Sequence, residues 1–101
     1  MTTVYGGCVY IIVNNHHSVF YVGVAASVSN RLQQHRDKVY PKSFSARYNI
    51  AKLVYYEFFG TIIEAIAREK QIKKYSRIKK IALIRNLNPD WKDLADEVKY
   101  L

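Results

Sequence analysis

The fold of this chain is decided by two short apolar runs, Gly7-Cys8-Val9-Tyr10-Ile11-Ile12-Val13 and Val19-Phe20-Tyr21-Val22-Gly23-Val24. The polar stretch between them is typical of a turn, so the two runs predict a β-hairpin. With the turn centred between Asn15 and His16, Tyr10 and Tyr21 lie directly opposite each other. Cross-strand partners share a face of the sheet, so both hydroxyls would point into the same space. Because tyrosine is also a common strand residue, packing alone is the competing interpretation of this pair.

Cap and breaker residues divide the rest of the chain. Ser27 or Ser29 caps a helix that runs to about Asp37, and Pro41 marks a polar loop after it. Residues 53–59 predict a third strand, which is rich in aromatic residues.

The second half of the chain is helical. Thr61 and Glu64 form a capping box for a helix that ends near Lys74, and another helix covers residues 76–85. Asn88-Pro89 predicts a last helix over about residues 90–98. The order β-β-α-β-α-α-α predicts an α+β fold, with a small, mostly antiparallel sheet flanked by helices. We expect one domain over residues 1–101.

Composition limits the setting in which the chain works. No run is long enough to span a bilayer, and the first residues do not resemble a signal peptide. Cys8 is the single cysteine, so no disulfide framework is predicted and a reducing compartment fits. We therefore expect a cytoplasmic protein with no membrane partner.

The positive charge is concentrated in one block. The formal net charge is +8, and eight of the sixteen basic residues fall between residues 68 and 85. Such a block suggests a polyanionic partner, most often nucleic acid, although a solvated lysine-rich helix face is the alternative. The candidate contacts are Lys70, Lys73, Lys74, Arg77 and Lys80.

Helical spacing places polar groups on or beside apolar stripes. In the first helix these groups are Arg31 and His35; the histidine could be a core residue bonded to backbone, whereas a buried guanidinium needs an anionic partner. In the helix from Thr61, Glu69 lies on the apolar stripe and needs a cation, either a metal ion or Arg31. A structural ion pair between Arg31 and Glu69 stays open as an alternative.

Together these side chains make a set of two phenols, a guanidinium, an imidazole and a carboxylate. Hydrolysis of a phosphodiester needs a metal to neutralise the phosphate, a cation for the developing charge and a base for water. The set supplies each of these parts.

The order and spacing of these motifs resemble the GIY-YIG nuclease superfamily, in particular its small stand-alone branch, which is similar to the N-terminal nuclease domain of the C component of excinuclease ABC. The matching segments are Cys8-Val9-Tyr10 and Tyr21-Val22-Gly23, with ten residues between the two tyrosines, then Asn30 to His35, Glu64 to Lys74, and Asn88 to Trp91. The resemblance spans about residues 7–95, which it implies are the core of the domain. Cys8 stands where the family has glycine, and this difference concerns backbone clearance rather than the tyrosine.

The resemblance implies a three-stranded antiparallel sheet and metal-dependent cleavage of DNA, with a place in repair or recombination and with RNA left open as a substrate. Glu69 would hold one divalent cation, Mg²⁺ or Mn²⁺, and Arg31 would stabilise the transition state. Tyr10 would activate or position the attacking water, with Tyr21 and His35 orienting it or sharing its proton. Asn88, or alternatively Asn86, would be the family's late asparagine. Two competing hypotheses are a nucleic-acid-binding module that cleaves poorly and a purely structural or partner-binding domain.

Overall fold

The computed structural model describes residues 5–37 and 52–98, and for residues 35–37 it describes the backbone only. The elements in chain order are β1 (Gly7–Val13), β2 (Phe20–Ala25), α1 (Val28–Asp37), β3 (Lys52–Phe59), α2 (Ile62–Lys73), α3 (Arg77–Leu87) and α4 (Ala95–Val98). The strands form one antiparallel sheet in the order β2-β1-β3. The predicted α+β fold and its element order are confirmed. The loop predicted at Pro41 lies outside the described residues.

The central strand β1 is buried along its whole length because both faces of the sheet are covered. The face that carries Tyr10, here called the tyrosine face, packs against α1 and the segment around α4. The opposite face packs against α2 and α3. Successive side chains of β1 alternate between the two cores, and Cys8 fits on the tyrosine face with no exposed surface. Cysteine at the family's glycine position is thus accommodated as a small core residue.

The hairpin register differs from the prediction by two residues. Tyr10 lies opposite Gly23 and Tyr21 lies opposite Ile12, so the direct pairing of the two tyrosines is wrong. The loop is longer than expected because the Asn14 side-chain oxygen accepts the backbone N–H groups of Ser18 (2.9 Å) and Val19 (3.0 Å). A shift of two residues preserves the face, and both tyrosines still belong to the tyrosine face.

Helix ends follow the predicted caps except at the last helix. The Thr61 hydroxyl accepts the backbone N–H of Glu64 at 3.2 Å and donates to its carboxylate at 2.9 Å. The helix predicted from Asp90 is wrong at its start, because α4 begins only at Ala95. Asn88 instead ends α3, and its side-chain oxygen accepts the backbone N–H of Lys92 at 3.0 Å, which holds the chain in a turn.

Small residues bring α2 close to the sheet. A Cβ atom added to Gly7 would lie 2.8 Å from the Cβ of Ala65 and 3.0 Å from Ile62, closer than ordinary contact allows. Glycine in β1 and alanine in α2 therefore permit a backbone approach that larger side chains would prevent. This approach fixes the height of α2, and with it the position of Glu69, above the sheet.

Candidate active site

The site is built around the Tyr10 side chain, which is 1% exposed. Its ring extends from β1 over Gly23 of the outer strand β2, because a Cβ atom on Gly23 would lie 2.5 Å from both Cζ and the hydroxyl oxygen of Tyr10. Because Gly23 has no side chain, the Tyr10 phenol can occupy this position. The glycine of the second motif thus has a steric role in the site.

Tyr21 follows on the same face of the sheet. The centroids of the Tyr10 and Tyr21 rings lie 6.3 Å apart, with the ring planes inclined by 36°. Tyr21 is half-buried, so its ring forms a more accessible neighbour of the buried phenol. The two rings therefore lie on one face of the sheet, and the prediction that their hydroxyls point into the same space stays a prediction.

Arg31 lies on α1, the helix that packs against the tyrosine face. Its positive charge lowers the pKa of Tyr10, against the larger raising effect of burial. The expectation of a buried guanidinium is wrong, since Arg31 is exposed. The reason is its position beside the stripe of Val28 and Leu32, which are the residues of α1 that enter the core. An exposed arginine next to a buried phenol is available to a bound anion.

Glu69 is buried, with 8% of its surface exposed, between Ala65 and Ile72 on the packed side of α2. Although α2 lies on the opposite face of the sheet, the Glu69 charge raises the pKa of Tyr10 and so acts on the same hydroxyl as Arg31. Glu69 forms an ion pair with Lys73 at 2.6 Å, and not the pair with Arg31 that the sequence left open.

The environment of Tyr10 keeps its hydroxyl protonated. Burial is the largest cause of its raised pKa, followed by Tyr21; Arg31 acts in the opposite direction, and Cys8 and Glu69 raise the pKa further. At ordinary pH, Tyr10 is therefore a neutral phenol. Only additional positive charge near its oxygen would make it a base at ordinary pH.

Two other candidate residues stand differently. His35 falls within α1, and its side chain lies outside the described part of the chain. Asn88 is 4% exposed, and its amide nitrogen donates to the carbonyls of Val54 (3.2 Å) and Lys92 (2.8 Å). With its oxygen also engaged, Asn88 joins the end of α3 to β3. Asn86, the other late asparagine, is exposed.

The candidate nucleic-acid contacts differ in their exposure and in their partners within the protein. Lys70 is exposed on α2, Lys74 is exposed at the C-cap of that helix, and Lys80 is half-buried on α3. Lys73 is the partner of Glu69. Arg77 forms hydrogen bonds with the turn of the hairpin.

Arg77 connects α3 to the β1–β2 turn through hydrogen bonds and a stacking contact. Its guanidinium donates to the carbonyl oxygens of His17 (2.8 Å) and Ser18 (3.1 Å). It also stacks over the Phe20 ring, with 4.5 Å between the guanidinium carbon and the ring centroid. The guanidinium of Arg77 thus has a structural task that charge counting did not predict.

A polar network that the sequence patterns did not predict connects β3 and α2. Arg68 donates to the carboxylate of Glu57 at 3.0 Å, and the Tyr55 hydroxyl donates to the same oxygen at 2.8 Å. Arg68 also donates to Gln71 (2.7 Å) and to the Tyr75 hydroxyl (3.2 Å). The available signal was Glu57, a carboxylate among the four aromatic residues of β3. The network connects α2 to β3 through Arg68, the residue that precedes Glu69.

A divalent cation fits the donor chemistry at Glu69. No three His, Cys, Asp or Glu residues cluster in the part of the chain that the structure describes. A single buried carboxylate nevertheless suits Mg²⁺, which keeps several waters and takes further ligands from substrate phosphates. Glu69 is the residue that would hold such an ion.

The chain matches a family of catalytic domains over most of its length. The model of the GIY-YIG catalytic domain covers residues 6–82. A UPF0213 protein of Syntrophus aciditrophicus (strain SB) is 34% identical over 70 residues, which make up 69% of this chain and 79% of that protein. A UPF0213 protein of Staphylococcus aureus (strain Mu3 / ATCC 700698) is 38% identical over 77 residues, or 76% and 92% of the two chains. No solved structure matches.

The chain belongs to the GIY-YIG catalytic domain family. This is a nuclease family, so the substrate class is nucleic acid, and the family predicted from the sequence motifs is confirmed. Within the described residues, no helix has the length and apolar character needed to cross a membrane.

Proposed function

We propose that this protein is an endonuclease that hydrolyses DNA phosphodiester bonds with one divalent cation, Mg²⁺ or Mn²⁺. The observation that carries the proposal is the burial of two ionisable side chains, Tyr10 and Glu69, within the segment that matches the GIY-YIG catalytic domain. With the exposed guanidinium of Arg31, this segment supplies a carboxylate, a phenol and a cation. They are the groups that phosphodiester hydrolysis requires.

Each residue has a distinct task in this proposal. Arg31 is exposed and carries two parallel N–H donors, so it binds the phosphate oxygens and stabilises their developing charge. The bound cation would neutralise the scissile phosphate and the leaving oxygen. Glu69 holds that charge at the site, and its burial excludes water from the carboxylate.

Tyr10 acts on the attacking water. As a neutral phenol it orients the water by a hydrogen bond. Where nearby cations lower its pKa, it would release its own proton to solvent and, as a phenolate, accept the proton of the attacking water. Tyr21, the half-buried neighbour, orients the same water or shares its proton, and His35 has the same role by family resemblance. The exposed Lys70 and Lys74 supply DNA-backbone contacts, and a role in repair or recombination is part of the proposal.

A nicking assay tests the proposal. Supercoiled plasmid and branched DNA are incubated with wild type, Arg31→Met and Arg85→Met, each with Mg²⁺, with Mn²⁺ or with a chelator. Arg85 is an exposed arginine on α3 and serves as the matched control. Wild type and Arg85→Met should nick only with metal, whereas Arg31→Met should lose about 100-fold in rate.

Equal nicking by all three proteins, or nicking in the chelator, would contradict the proposal and indicate a contaminating nuclease. DNA binding at low salt without nicking in either metal would instead support the binding module with the same fold, which the exposed lysines favour.

A further inference from the structure

The two side chains of the ion pair between Glu69 and Lys73 differ in their exposure to solvent. The Lys73 ammonium lies 2.6 Å from Oε1 of Glu69, one helical turn along α2. The lysine side chain is 55% exposed, while the glutamate side chain is only 11% exposed. The carboxylate is therefore fixed within the protein, and the cation that neutralises it comes from the solvent side.

This inequality decides which partner can leave. An ammonium that is already half in water regains its hydration when the pair opens, so its departure costs little. A buried carboxylate left alone would bear a desolvation penalty of several kcal/mol. Glu69 thus needs a cation at all times, but the identity of that cation can change.

We propose that Lys73 is the resident counter-ion of Glu69 and that a divalent cation binds by exchange with its ammonium group. The inference rests on the proposed function. One positive group replaces another at Glu69, so the buried carboxylate stays neutralised throughout. The released ammonium stays on α2 beside the site, where a phosphate oxygen of the substrate offers it a new partner.

The exchange links metal binding to substrate binding. A phosphate that attracts Lys73 leaves Glu69 free for the metal, and by reciprocity the metal strengthens the contact between Lys73 and the phosphate. Lys73 is therefore a positioning residue whose removal should raise the metal affinity of the DNA-free protein. A lysine with a purely structural role would not have this effect.

Mn²⁺ titrations followed by electron paramagnetic resonance of the free ion test this inference. The proteins are wild type, Lys73→Met, Lys73→Gln and Lys73→Arg, with Lys70→Met as the matched control. Lys70 is exposed on the same helix. Because both variants lose one lysine, Lys70→Met has the same net charge as Lys73→Met. Lys73→Met and Lys73→Gln should bind Mn²⁺ about fivefold more tightly than Lys70→Met, while Lys73→Arg should bind like wild type.

Equal or weaker Mn²⁺ binding by both neutral Lys73 variants, relative to Lys70→Met, would overturn the exchange. Glu69→Gln separates this failure from a failure of the proposed function. If Glu69→Gln binds Mn²⁺ as wild type does, the metal role of Glu69 is itself wrong. If it loses binding while Lys73→Met equals Lys70→Met, only the exchange is wrong. Circular dichroism at the titration temperature establishes that each variant is folded.

Discussion

Replacing Gly23 with alanine should displace the Tyr10 phenol without removing any polar group. The added Cβ would lie 2.5 Å from Cζ and from the hydroxyl oxygen of Tyr10, and 2.9 Å from Cε1 of Tyr21. Ordinary contacts begin at 3.4 Å, so the Tyr10 ring must move by roughly 1 Å. Because Tyr10 is 1% exposed, the ring cannot move into solvent and must displace core neighbours.

The magnitude follows from this overpacking. Excess volume in a packed core costs about 1–3 kcal/mol. Gly60→Ala is the matched control, since its nearest neighbour would be an oxygen of Glu64 at 3.8 Å and its φ is not positive. That variant should be neutral or gain about 0.4–1 kcal/mol. The two variants should therefore differ by about 2 kcal/mol in the free energy of unfolding, or about 10 °C in Tm.

Urea denaturation and plasmid nicking measure the two consequences. Nicking by Gly23→Ala, assayed well below its Tm, should fall about 100-fold because the phenol is misplaced by about 1 Å. Gly60→Ala should retain wild-type activity. Equal stability and equal nicking rates for the two alanine variants would refute the steric role of Gly23.

Three further outcomes follow from the described contacts. Arg77→Met should lose about 1–2 kcal/mol of unfolding free energy in urea, because two bonds to the turn and a stacking contact disappear, whereas Arg85→Met should change it by less than about 0.5. A double-mutant cycle of Glu57→Gln and Arg68→Met should give a coupling energy of about 1 kcal/mol, and additivity would contradict the pairing. Burial raises the pKa of Tyr10 above its unfolded value near 10, so its contribution is complete below pH 10 and is lost as pH rises further. Tyr10→Phe should therefore lose stability less steeply than wild type in urea titrations above pH 10, and parallel slopes would contradict this.

Local signals predicted the elements of the fold, and non-local contacts decided their details. The capping box of Thr61 and Glu64 and the apolar runs of the hairpin were sufficient for the element order. The register was not predictable from the turn composition, because the Asn14 side chain lengthens the loop through bonds to backbone N–H groups. Asn88 matched a helix start in sequence, but its bonds to β3 and Lys92 make it a helix end.

The candidate site was predictable where a polar residue stood on an apolar face. Glu69 could be recognised in this way, and its burial agrees with the expectation. Its partner Lys73 lies four residues further along the same helix, so this pairing was also available from the sequence. The prediction instead considered Arg31 or a metal ion. Gly23 became informative through the register, which places the Tyr10 ring over it.

The most direct test of metal-dependent cleavage at Glu69 is the single-turnover nicking rate of Glu69→Gln with Mg²⁺, compared with Glu64→Gln. Glu64 lies on the same helix but is exposed, so both variants lose one carboxylate charge from α2. We expect Glu64→Gln to nick at the wild-type rate and Glu69→Gln to lose at least about 100-fold. Equal rates for the two variants, with both proteins folded, would contradict the assignment of Glu69 as the metal-holding residue.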